Sequence, residues 1–416
     1  MEPTRHKFTI LKQVMEHIPA YLVSTLSREH GVEERSRSFT PWSHVVSLVY
    51  TQLSHALGLN DVCDSLRNHA GALATVRGAA PPSRNGLSHA NRERNADMAE
   101  ALFWEVLADM QKVHPRFGMG RSYCGFPRRF KRIINVVDST TICLVANCID
   151  WARHRRRKAA AKCHMRLDLQ TFLPRFALVK SADTHDATEA KELCVAIRSG
   201  EIVIFDKAYV DFNHLHELHC RGVFWVTRAK ENMAYRIVKT LSPPQGNILQ
   251  DKLIRLNGIS SQEDYPELLR LVTAIVEVDG KEIEMTFITN NMEWAATSIS
   301  ALYKSRWGIE VFFKQLKQTL QLADFLGHNE NAVRWQVWTA LLTYVILRFI
   351  AYMGRWKSSF SRLFTTLRGV LWSRFDMYAI LRLCCGIASD PPRMHVQPEQ
   401  LYIPGFELLS VGQQKV

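Results

Sequence analysis

Residues 303–317 read YKSRWGIEVFFKQLK, which places Tyr303, Arg306, Glu310 and Lys317 at offsets of 0, 3, 7 and 14. At 3.6 residues per turn, these four side chains fall within an arc of about 60° on one helix. An apolar stripe lies beside this arc, at positions 309, 313, 316 and 320. The pattern is typical of an ordinary amphipathic helix with a charged outer face. A carboxylate flanked by an aromatic ring and two cations also suits a phosphate-bearing substrate.

Two stretches upstream predict buried strands that carry an acid. IINVVDSTTICLV, residues 133–145, contains Asp138, and the apolar run of EIVIFDKAY, residues 201–209, ends at Asp206. Strand and helix patterns alternate from residue 133 to residue 228, which indicates an α/β sheet with parallel strands. Carboxylates at strand ends of such a sheet project into one crevice. We therefore expect the two acids to lie close together.

The rest of the chain arranges itself around this sheet. Apolar residues at helical spacing predict helices before it and after it. A hairpin-like stretch with its turn at Asp279 and Gly280 predicts a β-rich insertion. We also expect one helix closed by Gly200 and one continuous helix over residues 294–320, covering the crevice. The sequence predicts five segments. A helical N-terminal domain expected to bind DNA covers residues 1–120, and the first part of the core covers residues 121–230. The insertion covers residues 231–285, the second part of the core with the Glu310 helix covers residues 286–335, and a C-terminal helical region covers residues 336–416.

The charge distribution points to a polyanion as partner. The net charge of the 416 residues is +13. Residues 101–180 contain 16 basic and 5 acidic residues, and residues 301–416 contain 14 basic and 7 acidic residues. Such concentration is expected of a surface that meets nucleic acid, although a basic surface kept for solubility remains an alternative. The run at Arg155, Arg156 and Arg157 is either a phosphate-contacting loop or a solvated surface.

Composition and end patterns favour a cytoplasmic protein. The nine cysteines are scattered without CxxC spacing, which indicates neither a zinc ribbon nor a disulfide framework. The N-terminal residues lack a secretory apolar region. The longest apolar run, residues 337–347, is too short to span a bilayer and predicts a buried helix. We expect no membrane partner.

Asp138, Asp206 and Glu310 are the leading candidates for a metal site. Three converging carboxylates cannot stay ionised together without cations. Two Mg²⁺ or Mn²⁺ ions would resolve the repulsion and would serve phosphodiester chemistry. An oxygen-only ligand set disfavours zinc. Other acids compete for these roles, although none ends an apolar strand as cleanly: Asp150, Asp168, Asp183, Asp186 and Asp211.

With these motifs in order, the sequence resembles the DDE transposases of bacterial insertion sequences, specifically the IS-four family. The family signature is Tyr, two residues, Arg, three residues, Glu, six residues, Lys, and residues 303–317 match it without a gap. NVVDSTTI around Asp138, IFDKAYVDF around Asp206 and GVFWVTRAK after it are also typical. The resemblance covers most of the chain from about residue 120 to residue 355.

The resemblance implies an α/β fold with an RNase H-like (retroviral integrase-like) catalytic core and a β-rich insertion, preceded by a helical N-terminal domain and followed by C-terminal helices. It implies catalysis and metal binding by Asp138, Asp206 and Glu310. Water would cleave DNA at the terminal inverted repeats of the element, and the freed 3′ hydroxyl would attack target DNA. The resemblance also implies double-stranded DNA as the partner and a dimer that joins the two ends of the element. It implies a bacterial protein that acts at the nucleoid. The expected DNA contacts are Tyr303, Arg306, Lys317, Arg155, Arg156, Arg157, Arg228 and Lys230.

Two further functions stay open on the sequence. A DNA-binding relative that has lost catalysis would share the basic segment, and a structure-specific nuclease on the same fold would cut DNA without strand transfer. The presence of all three acids and all four signature residues favours the transposase.

Overall fold

The structure is a computed structural model. It describes residues 4–32, 39–119, 130–144, 153–154, 158–181, 186–278, 280–320, 326–327 and 329–385.

Seven α-helices precede the sheet in the described part of the chain: α1 (Ile10–Met15), α2 (Leu22–Glu29), α3 (Pro41–Ser54), α4 (Leu59–Asn68), α5 (Ala70–Ala74), α6 (Arg84–Glu93) and α7 (Asp97–Val113). Their starts follow the local sequence. The Thr40 side chain accepts a hydrogen bond from the Ser43 backbone N–H, and Pro41 opens α3. Ser83 caps α6 in the same way through the Gly86 N–H.

A single sheet contains the ten described strands: β1 (Ile134–Leu144), β2 (Arg153–His154), β3 (Lys158–Asp168), β4 (Leu173–Ser181), β5 (Ile202–Phe205), β6 (Phe224–Arg228), β7 (Tyr235–Ser242), β8 (Ile248–Leu256), β9 (Leu269–Val278) and β10 (Lys281–Thr289). β3 pairs antiparallel with β1, β2 and β4. β1, β5 and β6 are parallel neighbours, which confirms the predicted α/β sheet with parallel strands. β10, β9, β8 and β7 continue the sheet beyond β6, all antiparallel.

The remaining described α-helices are α8 (Asp186–Cys194), α9 (Phe212–Cys220), α10 (Ile259–Asp264), α11 (Ala296–Lys304), α12 (Trp307–Lys314), α13 (Glu330–Met353), α14 (Phe360–Arg368) and α15 (Met377–Cys385), and a π-helical turn covers Gln315–Thr319. Two expectations are wrong here. The helix before β5 ends at Cys194 and not at Gly200. The expected continuous helix over residues 294–320 is divided into α11, α12 and the π-helical turn.

The sheet buries apolar side chains on both faces. Along β1, Val136 belongs to the core shared with α11, α12 and α13, and Val137 belongs to the core shared with α8 and α9. Along β5, Ile204 and Phe205 divide in the same manner. Because successive strand residues point to opposite faces, the next residues, Asp138 and Asp206, face α12.

α13 packs against helices from the N-terminal and the C-terminal parts of the chain. It packs against α3, α6 and α7 of the N-terminal half and against α14. Among the described residues, it is the one helix long and apolar enough to cross a membrane, yet 83% of its most apolar window is buried inside the protein. The buried helix predicted around residues 337–347 is therefore confirmed.

Candidate active site

The pairing of β1 with β5 brings the first two acids together. Their last parallel pair is Val137 with Phe205, and Asp138 and Asp206 are the next residues on each strand. Neighbouring strands lie about 4.8 Å apart, so side chains at matching positions on one face are close. The expectation that these acids meet at one edge follows from this register. β1 itself runs on to Leu144, so Asp138 lies inside its strand and not at its end.

Arg306 links the third acid to this edge. It immediately precedes α12, and one guanidinium nitrogen, Nη1, lies 2.7 Å from Asp138 Oδ2. The other nitrogen, Nη2, lies 2.6 Å from Glu310 Oε1. Only 9% of the Arg306 side chain is exposed, against 17% for Asp138 and 52% for Glu310. The arginine therefore bridges a nearly buried acid and one that lies half in solvent.

Tyr303 completes the contacts from this segment. Its hydroxyl donates a hydrogen bond of 3.2 Å to Asp206 Oδ1, and its ring packs against Phe287 of β10 with centroids 4.9 Å apart. The sequence predicts Tyr303 and Arg306 as DNA contacts, and in the structure both hold the acids instead. Their contact with DNA stays a prediction.

A tight turn between α11 and α12 sets the direction of Arg306. The Arg306 N–H bonds to the Tyr303 carbonyl at 2.9 Å, and the Gly308 N–H bonds to the Ser305 carbonyl at 3.0 Å, both three residues back. Such bonds tighten the chain relative to an α-helix. A Cβ at Gly308 would lie 2.7 Å from Leu169 Cδ1. Gly308 therefore allows α12 to lie close to the turn that follows β3, a role that sequence reasoning missed.

A groove of about 300 Å³ opens beside Asp138 and Glu310. Its wall includes Lys314 and Lys317 from the end of α12 and the π-helical turn. Lys317 Nζ donates to the Thr141 carbonyl of β1 at 2.7 Å, which ties the turn to the sheet. Lys314 is exposed, and among the described residues it makes no hydrogen bond or ion pair. Although the regular helix is broken, Lys317 and Glu310 line the same groove.

The electrostatics of Asp138 reflect its confinement. Its pKa is raised to about 6, chiefly by burial and to a smaller extent by the charges of Asp206 and Glu310, against the lowering effects of the Arg306 charge and the Ser139 backbone N–H. Burial lowers the pKa of Arg306, but the neighbouring charges, Asp138 foremost, outweigh this and raise its pKa overall. The site thus disfavours an additional negative charge unless a cation compensates it.

The metal ions expected from the sequence were compared with this geometry. Within the described residues, no three His, Cys, Asp or Glu side chains form a group able to hold a metal ion. The guanidinium of Arg306 lies between Asp138 and Glu310 and offsets their charges. The oxygen donors of these acids have the chemistry that hard divalent cations prefer. A cation between Asp138 and Glu310 would require Arg306 to leave at least one of them.

The other predicted residues have mixed outcomes. Arg228 ends β6, and its charge acts on the buried Tyr303 hydroxyl, whose pKa is raised by burial. Lys230 Nζ donates to the Val210 carbonyl at 2.8 Å, so it contributes to the loop after Asp206. Arg155, Arg156 and Arg157 lie outside the described residues, as do two of the competing acids, Asp150 and Asp183.

Two competing acids have structural contacts. Asp168 at the end of β3 is buried and pairs with Arg175 at 2.7 Å. Asp211 caps α9 by accepting a hydrogen bond from the His214 N–H. Both carboxylates therefore have structural partners, and the preference for Asp138 and Asp206 stays a prediction.

Comparison with known proteins identifies the class. Residues 129–346 match a family model described as a transposase DDE domain, and residues 6–76 match one described as a domain of unknown function, DUF4372. The chain is similar to the putative transposase y4zB of Sinorhizobium fredii, with 33% identity over 306 residues that cover 72% of this chain and 81% of the relative. It is also similar to the transposase InsG for insertion sequence element IS4 of Escherichia coli, with 24% identity over 169 residues that cover 38% and 37% of the two chains. Among solved structures, it is similar to a piggyBac transposase synaptic complex with hairpin DNA, at a TM-score of 0.45 and 12% identity, covering 91% of this chain and 80% of the other.

The match to the transposase DDE domain spans more than half of the chain and includes Asp138, Asp206 and Glu310. The chain belongs to the DDE transposase family. It is an enzyme of that class, which acts on DNA and depends on divalent metal ions. The resemblance to insertion-sequence transposases of the IS-four family is thereby confirmed.

Proposed function

We propose that Asp138, Asp206 and Glu310 hold two Mg²⁺ or Mn²⁺ ions and that this transposase cleaves DNA at the terminal inverted repeats of its element. The freed 3′ hydroxyl then attacks target DNA. The observation that carries the proposal is the bridge of Arg306 between Asp138 and Glu310, beside Asp206 on the adjoining parallel strand. Carboxylates that lie on a groove wall and already hold the guanidinium of Arg306 have the negative charge needed to bind a divalent metal ion.

An RNase H-like core is the second part of the proposal. The strand order β4, β3, β1, β5, β6, with the first three antiparallel and the last three parallel, supports it. The strands β7, β8 and β9 and the first half of β10 would then form the insertion. We retain the predicted segments as proposed units: a DNA-binding domain at residues 1–120, the core at 121–230 and 286–335, the insertion at 231–285, and the C-terminal region at 336–416.

The residues around the acids have distinct proposed roles. Divalent ions held there would activate the attacking oxygen and stabilise the leaving oxygen of the phosphodiester. Tyr303 orients Asp206 through the hydrogen bond that its hydroxyl donates. Arg306 compensates the acids before the ions bind and then contacts a DNA phosphate, since its planar guanidinium suits carboxylate and phosphate alike. Lys314 and Lys317 on the groove wall attract the DNA backbone.

Partners and location complete the proposal. Joining two element ends requires a dimer in the synaptic complex, and the basic residues Arg155, Arg156, Arg157 and Arg228 would contact DNA phosphates. We expect the protein to act at the nucleoid in the bacterial cytoplasm. No membrane partner is proposed, because the apolar helix α13 is buried against other helices.

The test uses duplex DNA that spans each junction between the element and its flanking sequence, with a plasmid as target. The wild-type chain should nick the junction in Mg²⁺ or Mn²⁺ and join the freed 3′ end to the plasmid. Binding without any nick would favour the inactive DNA-binding relative. Nicks without joined products would favour the nuclease.

A further inference from the structure

Helix α6 lies between the two regions that match family models, residues 6–76 and 129–346. It starts after Pro81 and Pro82, with Ser83 as its N-cap. Its first turn contains no acidic residue. Neither match therefore assigns a role to this helix.

The inner side of α6 is firmly held. Leu87 and Ala90 are buried, and the Asn91 side chain bonds to His44 of α3 at 2.8 Å. The backbone carbonyls at its end are also occupied. Asn331 Nδ2 donates to the carbonyls of residues 91, 92 and 94, at 3.0, 3.3 and 2.6 Å.

A second side chain of α13 strengthens this grip. Trp335 Nε1 donates to the Arg94 carbonyl at 2.7 Å. α13 is the next helix along the chain after α12 and its π-helical turn, which carry Glu310 and Lys317. A ligand bound to α6 would therefore have a fixed position relative to the active-site groove.

The exposed side chains of α6 are polar, and all of them except Glu93 at its last position can donate hydrogen bonds. The exposed residues of this face are Arg84, Asn85, Ser88, His89 and Arg92. At 100° per residue they span an arc of about 140°, opposite the buried residues. Among the described residues, Arg84, Asn85 and Ser88 have no side-chain hydrogen bond or ion pair. Each of these types can read a base edge in the major groove: Arg pairs with guanine, Asn with adenine, and Ser with either.

We propose that α6 is a recognition helix whose outer face enters the major groove of the DNA at the element ends. The inference rests on the proposed function for its ligand. Arg84 and Asn85, at the start of the helix, contact base edges. Arg92 contacts a phosphate. It can exchange its ion pair with Glu93 for this contact, because that pair, at 2.6 Å, joins two side chains that are each more than half exposed and is weak in solvent. An α-helix of this size fits the major groove, and its rigid support fixes which bases it meets.

The test is selection of bound duplexes from a random pool by the full-length chain, followed by sequencing. Wild type, Arg84→Ala, Asn85→Ala and Arg92→Ala are compared with Arg67→Ala and Asn68→Ala, matched exposed residues of the neighbouring helix α4. Thermal melts show that each variant is folded, as expected for exposed positions. Junction cleavage in Mn²⁺ is measured in parallel.

The wild-type chain should enrich one motif. Arg84→Ala and Asn85→Ala should each relax the preference at one or two adjacent base pairs by about tenfold. Arg92→Ala should weaken binding to all sequences about equally, and the α4 variants should keep the wild-type motif. If folded Arg84→Ala and Asn85→Ala enrich the unchanged motif, the inference is overturned while the proposed function stands. The inference is also overturned if those variants alter only the oligomeric state, because the outer face of α6 would then contact protein and not DNA. An altered motif with no cleavage by any chain supports the recognition helix and overturns the proposed chemistry.

Discussion

Replacing Arg306 with Gln should reveal a competition between this side chain and divalent metal ions. The substitution removes both charged contacts, to Asp138 and to Glu310. The metal-free protein should become less stable and should bind Mn²⁺ more tightly than wild type. The reason is that a cation entering the wild-type site must first displace the guanidinium.

The expected size follows from exposure. The pair with Asp138 is nearly buried, and removing one partner of a buried pair costs about 3–5 kcal/mol. The pair with the half-exposed Glu310 adds at most about 1 kcal/mol. Protonation of Asp138, whose pKa burial already raises to about 6, limits the loss. We therefore expect a loss of about 3 kcal/mol at pH 8, a smaller one at pH 5, and a gain in Mn²⁺ affinity of at least about tenfold, or about 1.4 kcal/mol.

The assay combines urea unfolding without metal with calorimetric titration of Mn²⁺. Arg334→Gln is the control, because Arg334 also bridges two carboxylates, Asp97 and Glu100, on helices away from the groove. It should leave Mn²⁺ affinity unchanged. Weaker Mn²⁺ binding by Arg306→Gln, with its fold intact, would refute the competition and would make Arg306 a support of the metal site.

Three further predictions address charge and pH. Burial lowers the pKa of His44 to about 3 and that of His17 to about 4, so the unfolded chain takes up protons that the folded chain does not as pH falls below 6.5. When the pH is lowered from 7.5 to 5, each histidine should reduce the free energy of unfolding measured in urea by about 2 kcal/mol. His44→Gln should remove its share of this pH dependence, and an unchanged pH dependence would contradict the burial argument. Lys314→Ala should reduce the salt dependence of DNA binding by about one charge without loss of stability, whereas Lys317→Ala should also destabilise the fold by about 1 kcal/mol, because Lys317 holds the β1 backbone. Equal melting curves for the two would contradict this. Replacing residues 155–157 with Ala should weaken binding to every sequence and flatten its salt dependence, and an unchanged salt slope would indicate a solvated surface.

The sequence predicts the parts of the site that depend on strand order. Apolar runs that end near an acid predict both β1 with Asp138 and β5 with Asp206, because a buried strand must be apolar. The spacing of the signature residues predicts Glu310. These local patterns are sufficient to predict that the two acids lie close together, because neighbouring parallel strands place equivalent residues side by side.

Other features depend on contacts distant in sequence. β3 reads KAAAKCHMRLD, with no β-branched residue, and its strand conformation comes from pairing with β1 and β4 on its two sides. The turn before α12 interrupts an unbroken helical pattern, and the close approach of Gly308 to Leu169 is likewise not visible in that pattern. The contacts of Tyr303 and Arg306 with the acids could not be predicted, because amphipathic spacing gives the face of a helix but not its partners.

The most direct test of the catalytic site is junction cleavage by Glu310→Gln, which keeps the size of the side chain and removes its charge. The control is Glu263→Gln, at an exposed position of α10. Glu310→Gln should bind junction DNA about as well as wild type, since DNA binding rests on other residues. It should produce no nick and no strand-transfer product in Mg²⁺ or Mn²⁺, while Glu263→Gln retains both activities. Nicking by Glu310→Gln at the wild-type rate would contradict the assignment of Glu310 as a catalytic metal ligand.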